Sequence, residues 1–448
     1  MKLILSILVC VIFVVNNTAT AELKAERSEY TWKNGVFQLP LTIKDNSGVA
    51  RTNWPVTSGV PLPYGLIKET SQLRLIDSSG NEIPCQFKVT SRYSARDKSI
   101  RWVLLDFQVD VAANGHALVK LTNDRPSTPI KNKIIISENQ QGIHVNTGRL
   151  EIDIDKHNSN IFSQVSTGGF KIIQSGNKNG TFIKSGAINQ AEHFQGPQWN
   201  NQGWQKSSTL ENINIVESIY NGTVQNAKDV YIETSGPLRA VVVVKGKYLP
   251  EKSGSGIVKH GMYFFTIRIH FYHNHSFVVL EHAIENSDAT TRPQWSYLFR
   301  EAGLEHDLLF NKAIITGGDH TNPVAFNIDT SNSASLYQGP ASQIKKYGKY
   351  KIVNGQYVIA KNSQPVKNGN NARFMDISDQ QKGFAVSFRY FWEEAPRAIQ
   401  LSPNKARIIL HADIPPDDLL TLNKRPEYDL DFGERIIDDV LYYFHSGD

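Results

Sequence analysis

The chain has 448 residues, 40% of them hydrophobic and 20% charged, which excludes a disordered polymer and leaves apolar material for large cores. Lysine and arginine number 48 against 43 aspartates and glutamates, and a net charge of +5 is small for this length and points away from a nucleic-acid partner. Tyrosine (17) and phenylalanine (21) are plentiful while methionine (3) is scarce, a balance that suits sheets better than helix bundles.

The N-terminus reads as a secretory signal peptide over residues 1–21. Lys2 supplies the positive start, residues 3–15 are an apolar run, and Ala19-Thr20-Ala21 is a small-x-small cleavage site. A run of 13 is too short to span a bilayer, which needs about 20 residues. Cleavage removes Cys10 and leaves Cys85 as the one cysteine, so no intramolecular disulfide is expected in a secreted or periplasmic protein. No later segment is long and apolar enough for a membrane span, so the mature chain is expected to have none.

Further along, period-two patterns dominate. Ile83, Cys85, Phe87 and Val89 alternate with other residues and share one strand face, which makes Cys85 a buried structural thiol rather than a nucleophile. Asn123-Asp-Arg-Pro-Ser-Thr-Pro129 cannot continue a central strand and is the best linker. It separates an N-terminal unit, 22–124, from a C-terminal one, 130–448. Residues 150–155 alternate strictly, and 231–233, 239–244, 262–271, 277–284, 384–391 and 408–410 also read as strands. Residues 177–204, rich in Gly, Asn and Gln and carrying His193, Trp199 and Trp204, read as a long loop that either binds ligand or is pinned by its tryptophans. The fold class is all-β.

One hairpin can be registered. A tight loop at His273-Asn-His-Ser276 places Arg268 opposite Glu281 and Ile269 opposite Leu280. One face is then Phe265, Ile267, Ile269 and Phe271 against Val278, Leu280, His282 and Ile284. The other carries Thr266, Arg268, His270 and Tyr272 with Glu281.

Several motifs resemble the exo-rhamnogalacturonan lyases of polysaccharide lyase family 26. In the first unit they are Trp54-Pro-Val-Thr-Ser-Gly-Val-Pro-Leu-Pro-Tyr-Gly65, Leu73-Arg-Leu, Ile83-Pro-Cys-Gln-Phe87 and Lys98-Ser-Ile-Arg-Trp-Val-Leu-Leu-Asp-Phe107. In the second they are Glu233-Thr-Ser-Gly-Pro-Leu-Arg-Ala240, the Arg268 hairpin, Phe391-Trp-Glu-Glu-Ala-Pro-Arg397 and Gly433-Glu-Arg-Ile-Ile-Asp-Asp-Val-Leu-Tyr-Tyr-Phe-His445. The resemblance implies a small RIFT-type β barrel followed by a large β-sandwich. It also implies an exported protein that cleaves a uronate-containing pectic polysaccharide by β-elimination, with an acidic polysaccharide or oligosaccharide as partner. Family members continue into a helical α/α toroid, whereas this chain stops at Asp448. The expectation is either a truncated or split frame, or two β domains with their own task, with sugar binding retained and little turnover from this chain alone.

Such a lyase needs a cation at the uronate carboxylate and a base within reach of C5. Arg268 and His270 supply those types on one strand face, about 7 Å apart, with Tyr272 beyond. The favoured alternative for the same face is a solvated surface with an Arg–Glu pair. Trp392 with Arg397, and Trp295 with Arg300, are aromatic–arginine clusters that suit sugar stacking and carboxylate recognition, or packing. His273 and His275 lack a visible third ligand, so no metal is expected, and no cofactor. The competing reading is a non-catalytic carbohydrate-binding protein.

Overall fold

In the computed structural model of the chain the alternating segments are strands, and the only helical elements among the described residues are two single 3-10 turns, Thr70–Gln72 and Ala227–Asp229. The structure describes residues 23–27, 30–33, 35–158, 160–176, 180–185, 191–200, 203–211, 219–250, 263–287, 297–339, 356–413, 428–430 and 433–446. The expected signal peptide, 1–21, lies outside them, as does Trp295.

Two compact units result, Met1–Ile135 with Thr234–Ala240, and Ile136–Glu233 with Val241–Asp448. In the first, the strands Val36–Asp45, His116–Thr122 and Arg74–Asp77 lie side by side in one sheet, and Arg51–Pro61, Ile100–Val111 and Cys85–Arg92 make another. Alternate residues of Val36–Asp45, namely Phe37, Leu39, Leu41 and Ile43, are buried with Val103, Leu105 and Phe107 in one core. Ile83, Cys85, Phe87 and Val89 all pack against that core, so the expected common face exists. Burial pushes the Cys85 thiol well up, which fits a structural group. The segment Thr234–Ala240 is tied into the same unit by Gln86, whose Oε1 accepts from Leu238 N and Arg239 N at 3.1 Å each.

The second unit holds a five-stranded antiparallel sheet, in chain order from Ile135–Glu138 to Phe170–Gln174, and a far larger sheet whose strand pairs trace two arcs. The first arc runs Val324–Asp329, Lys312–Gly318, Phe374–Ser378, Gly383–Phe388, Arg435–His445, Phe277–Glu285, Phe264–Tyr272. The second runs Gln364–Asn370, Gln356–Lys361, Ala334–Gln338, Arg397–Ser402, Lys405–His411, Tyr297–Asp307, Thr181–Ser185, Ile219–Thr223, Arg239–Pro250. Side chains of the two arcs meet inside. His306 Nε2 lies 2.9 Å from Tyr442 Oη, and Thr181 Oγ1 lies 2.8 Å from His282 Nε2 and 2.7 Å from Tyr248 Oη. The arcs are therefore the two layers of a sandwich.

The hairpin has the expected register, Arg268 opposite Glu281 and Ile269 opposite Leu280. Phe265, Ile267, Ile269, Phe271 and His282 are buried as the core face. The opposite face differs from a solvated one. After Ile269 the burial of the strand becomes continuous, and His270 (3% exposed) and Tyr272 (8%) are covered. Within the expected loop 177–204, residues 191–200 instead form a strand that pairs with 203–211 in a hairpin, with Trp199 and Trp204 in register. Backbone hydrogen bonds make a ladder there despite the polar composition, and the register shifts beside Pro197, which has no N–H to give.

Where the strand Tyr297–Asp307 meets Lys405–His411, Ala302 pairs with His411 but Gly303 with Ile409, so Leu410 is an extra, bulged residue. A Cβ on Gly303 would fall 2.3 Å from the Ile408 carbonyl oxygen. Gly303→Ala is expected to destabilise the sandwich by roughly 1–3 kcal/mol, read as a lower urea midpoint. The interior histidines give a second expectation. Burial lowers His282 to about 4 and His306 to about 3, below the ordinary 6.5 that the unfolded chain keeps. Protons then bind the unfolded state more tightly. Their contribution is fully present above pH about 6.5 and is lost as pH falls toward those lowered values, by up to about 1.4 kcal/mol per pH unit for each group. Urea unfolding between pH 7 and 5 should show this loss, and His306→Gln should flatten it. An unchanged slope in that variant would remove His306 from the effect.

Candidate functional site

The apolar run that reads as a strand over 384–391 stops at Phe388. Tyr390 turns the chain with φ 54°, a left-handed conformation that no strand continues. Phe391, fully buried, packs edge-on against Phe388 with ring centres 4.7 Å apart and anchors the turn. Arg389 N donates to Asp439 O at 3.0 Å and Glu394 N to Tyr390 O at 3.0 Å, so the turn is fixed at both limbs before the strand Arg397–Ser402 begins.

Arg397 and Asp438 form an ion pair inside the sandwich, with side chains 1% and 3% exposed. Arg397 also donates to Arg389 O at 2.6 Å and to Glu394 Oε2 at 2.5 Å. The second carboxylate oxygen of Asp438 lies 3.0 Å from His411 Nε2. Burial alone would raise the Asp438 carboxyl, yet the His411 and Arg397 charges and the His411 hydrogen bond outweigh it and hold the group at about 2. An ionised Asp438 can only accept, so His411 Nε2 carries the hydrogen. His411 Nδ1 has no hydrogen bond among the described residues. The ring is set between Tyr428 and Phe299, 5.0 and 5.9 Å away. One ring nitrogen of His411 is thus fixed on a carboxylate, an orientation that proton transfer can use. Glu394, at the outer end, is about half exposed, and burial of the remainder raises its carboxyl.

Next to this network stand Arg373, Trp392 and Glu393. Arg373 N donates to Gly318 O at 2.9 Å and its carbonyl accepts from Ser387 Oγ at 2.7 Å, which pins the backbone beside the turn. Arg373 Nη1, Trp392 Nε1 and Glu393 Oε2 are buried and have no hydrogen-bond partner among the described residues. Burial raises the Glu393 carboxyl.

The sequence-named residues fall in different places. Trp392 and Arg397 lie in this turn, Arg397 as the buried partner of Asp438 rather than an open carboxylate receptor. Arg268 is elsewhere, between Glu233 at 3.1 Å and Glu281 at 3.0 Å. His270 and Tyr272 are buried on its strand, and Arg300 is 8% exposed in Tyr297–Asp307. Sequence reasoning missed Asp438, His411, Glu394 and Arg373. Asp438 had a signal, because it shares the inward parity of Val440, Tyr442 and Phe444, and a carboxylate in an apolar alternation needs a partner.

Residues 134–292 match the model of the PcRGLX-like protein central beta sandwich domain. Among solved structures, an alpha-mannosidase from Enterococcus faecalis V583 is similar at 10% identity and a TM-score of 0.48, over 93% of this chain and 44% of that one. A galactose 1-epimerase from Lactobacillus acidophilus NCFM is similar at 10% identity and a TM-score of 0.33, over 71% of this chain and 100% of that one. The chain thus spans less than half the length of the mannosidase it matches. No curated protein matches the chain. The segment 134–292 is thus similar to the PcRGLX-like central β-sandwich domain, in keeping with the resemblance to the rhamnogalacturonan lyases.

Proposed function

We propose that the protein is an exported, carbohydrate-active protein of the rhamnogalacturonan-lyase type that acts on a uronate-containing pectic polysaccharide. The observation that carries this reading is the match of residues 134–292 to the PcRGLX-like domain. In β-elimination a base takes the C5 proton, the electron pair forms the C4–C5 double bond, and the C4–O bond breaks with the leaving oxygen taking up a proton. Two histidines compete for the role of base. His270, with Arg268, has the residue types and spacing but lies buried behind an arginine already shared by two carboxylates. His411 has the better geometry, with Nε2 fixed on Asp438 and Nδ1 without a hydrogen bond among the described residues.

Incubation of the full chain with rhamnogalacturonan, followed by the ultraviolet absorbance of unsaturated uronates, tests the reading. Weak turnover is expected, and His411→Ala is expected to lower it by about 10²–10⁴-fold. Loss in His270→Ala with activity kept in His411→Ala would assign the base to the hairpin instead. A wild-type chain that binds the polysaccharide without cleaving it would leave the carbohydrate-binding reading in its place. A stability measurement accompanies these. Arg397→Met leaves Asp438 buried without its cation and is expected to cost roughly 3–5 kcal/mol in urea unfolding.

A further inference from the structure

Arg373 is an arginine buried to 9% exposure. Its guanidinium stays charged at any relevant pH, and a charge withdrawn from water needs a counter-ion or hydrogen bonds. Two other buried arginines have carboxylates against them: Arg74 has Asp124 and Arg397 has Asp438. Among the described residues Arg373 has no ion pair and no side-chain hydrogen bond. Asp319 and Glu393 act on it only through their fields, and Asp319 is already engaged by Thr321 Oγ1 at 2.5 Å and Tyr357 Oη at 3.1 Å.

The ladder fixes where Arg373 stands. Met375 pairs with Val386 on one side and Gly318 with Phe374 on the other, so Arg373 stands directly between Asp319 and the start of the 389–396 turn. That turn brings in Trp392 and Glu393, each with a buried polar atom that has no hydrogen-bond partner among the described residues. Arg373 and Glu393, from two neighbouring segments, lie within each other's fields, and Trp392 precedes Glu393 in the turn. Buried polar groups are otherwise almost always satisfied, so three such groups on these two segments mark what a ligand fills.

We propose that Arg373, Trp392 and Glu393 form a subsite for an acidic sugar. Arg373 takes the carboxylate, the Trp392 indole N–H donates to a ring or hydroxyl oxygen, and Glu393 pairs with a sugar hydroxyl. The reading rests on the carbohydrate-directed function proposed above and adds to it the element that selects a uronate over a neutral hexose. A guanidinium fits a planar carboxylate with two parallel hydrogen bonds, and no hydroxyl of a neutral sugar replaces that pairing.

Calorimetric titration of the full chain with galacturonate, and with galactose as the neutral counterpart, tests this. Galacturonate should bind at least about ten-fold more tightly than galactose, and Arg373→Gln should remove that preference while leaving galactose unchanged. Without ligand, Arg373→Met should raise Tm, because it removes an unpaired buried charge. In the lyase assay Arg373→Gln should raise KM more than it lowers kcat. Equal binding of the two sugars, or a lower Tm in the well-folded methionine variant, would overturn the subsite. The two proposals fail separately. Uronate binding that depends on Arg373 without any turnover would sink the lyase reading and keep the subsite. Turnover unaffected by Arg373→Gln would do the reverse.

Discussion

The sandwich closes around one ionised carboxylate. Asp438 sits on the strand Arg435–His445 of the first arc, and both of its partners, Arg397 and His411, belong to adjacent strands of the second. Removing such charges from water costs several kcal/mol per ion, and only good geometry on both oxygens offsets that cost. The two sheets therefore have little freedom to slide at this end. A slip of one residue on Arg435–His445 would turn Asp438 outward and bring Ile437 or Asp439 into its place, leaving Arg397 alone in the interior. An apolar pair of equal volume can hold the layers as well in energy, but it would not distinguish one register from the next.

Further along the interior the polar contacts change character. His282 and His306 are neutral, held by Thr181 and Tyr442 through hydrogen bonds between uncharged groups. Phe162, Phe384 and Phe444 surround Tyr442 and keep water away. The sandwich thus runs from a dry, uncharged middle to a charged end, and the turn 389–396 lies over that end. Its position follows from the same pair: Arg397 donates back to Arg389 O and to Glu394, so the carboxylate that fixes the sheets also fixes the loop.

How much of this was legible depends on the sequence separation of the partners. The hairpin register could be read because its strands are joined by a short loop and the apolar period admits one pairing. The common face of Ile83, Cys85, Phe87 and Val89 followed from alternation alone. The end of the strand at Phe388 did not, because it is set by a single left-handed residue, Tyr390, in an otherwise apolar stretch. Arg397 was recognised as unusual but its partner lies 41 residues away, in a strand whose place beside it only the fold determines. Arg373, in Ala372-Arg-Phe-Met, carried no signal at all, since its significance is the lack of a partner in space.

That distinction decides which arginine can greet an anion. Arg268, Arg389, Arg397 and Arg407 each face carboxylates of the protein, at 3.0, 2.8, 2.5 and 2.6 Å respectively. A substrate carboxylate at any of them would have to displace a neighbour that is held at high local concentration and, for Arg397, buried. It would also leave that neighbour's charge without compensation. Arg373 has no ion pair among the described residues, and only the fields of Asp319 and Glu393 reach it. Residue type alone made Arg268 and Arg397 look like receptors of acidic sugar; the chemistry of recognition favours an arginine that no carboxylate among the described residues contacts.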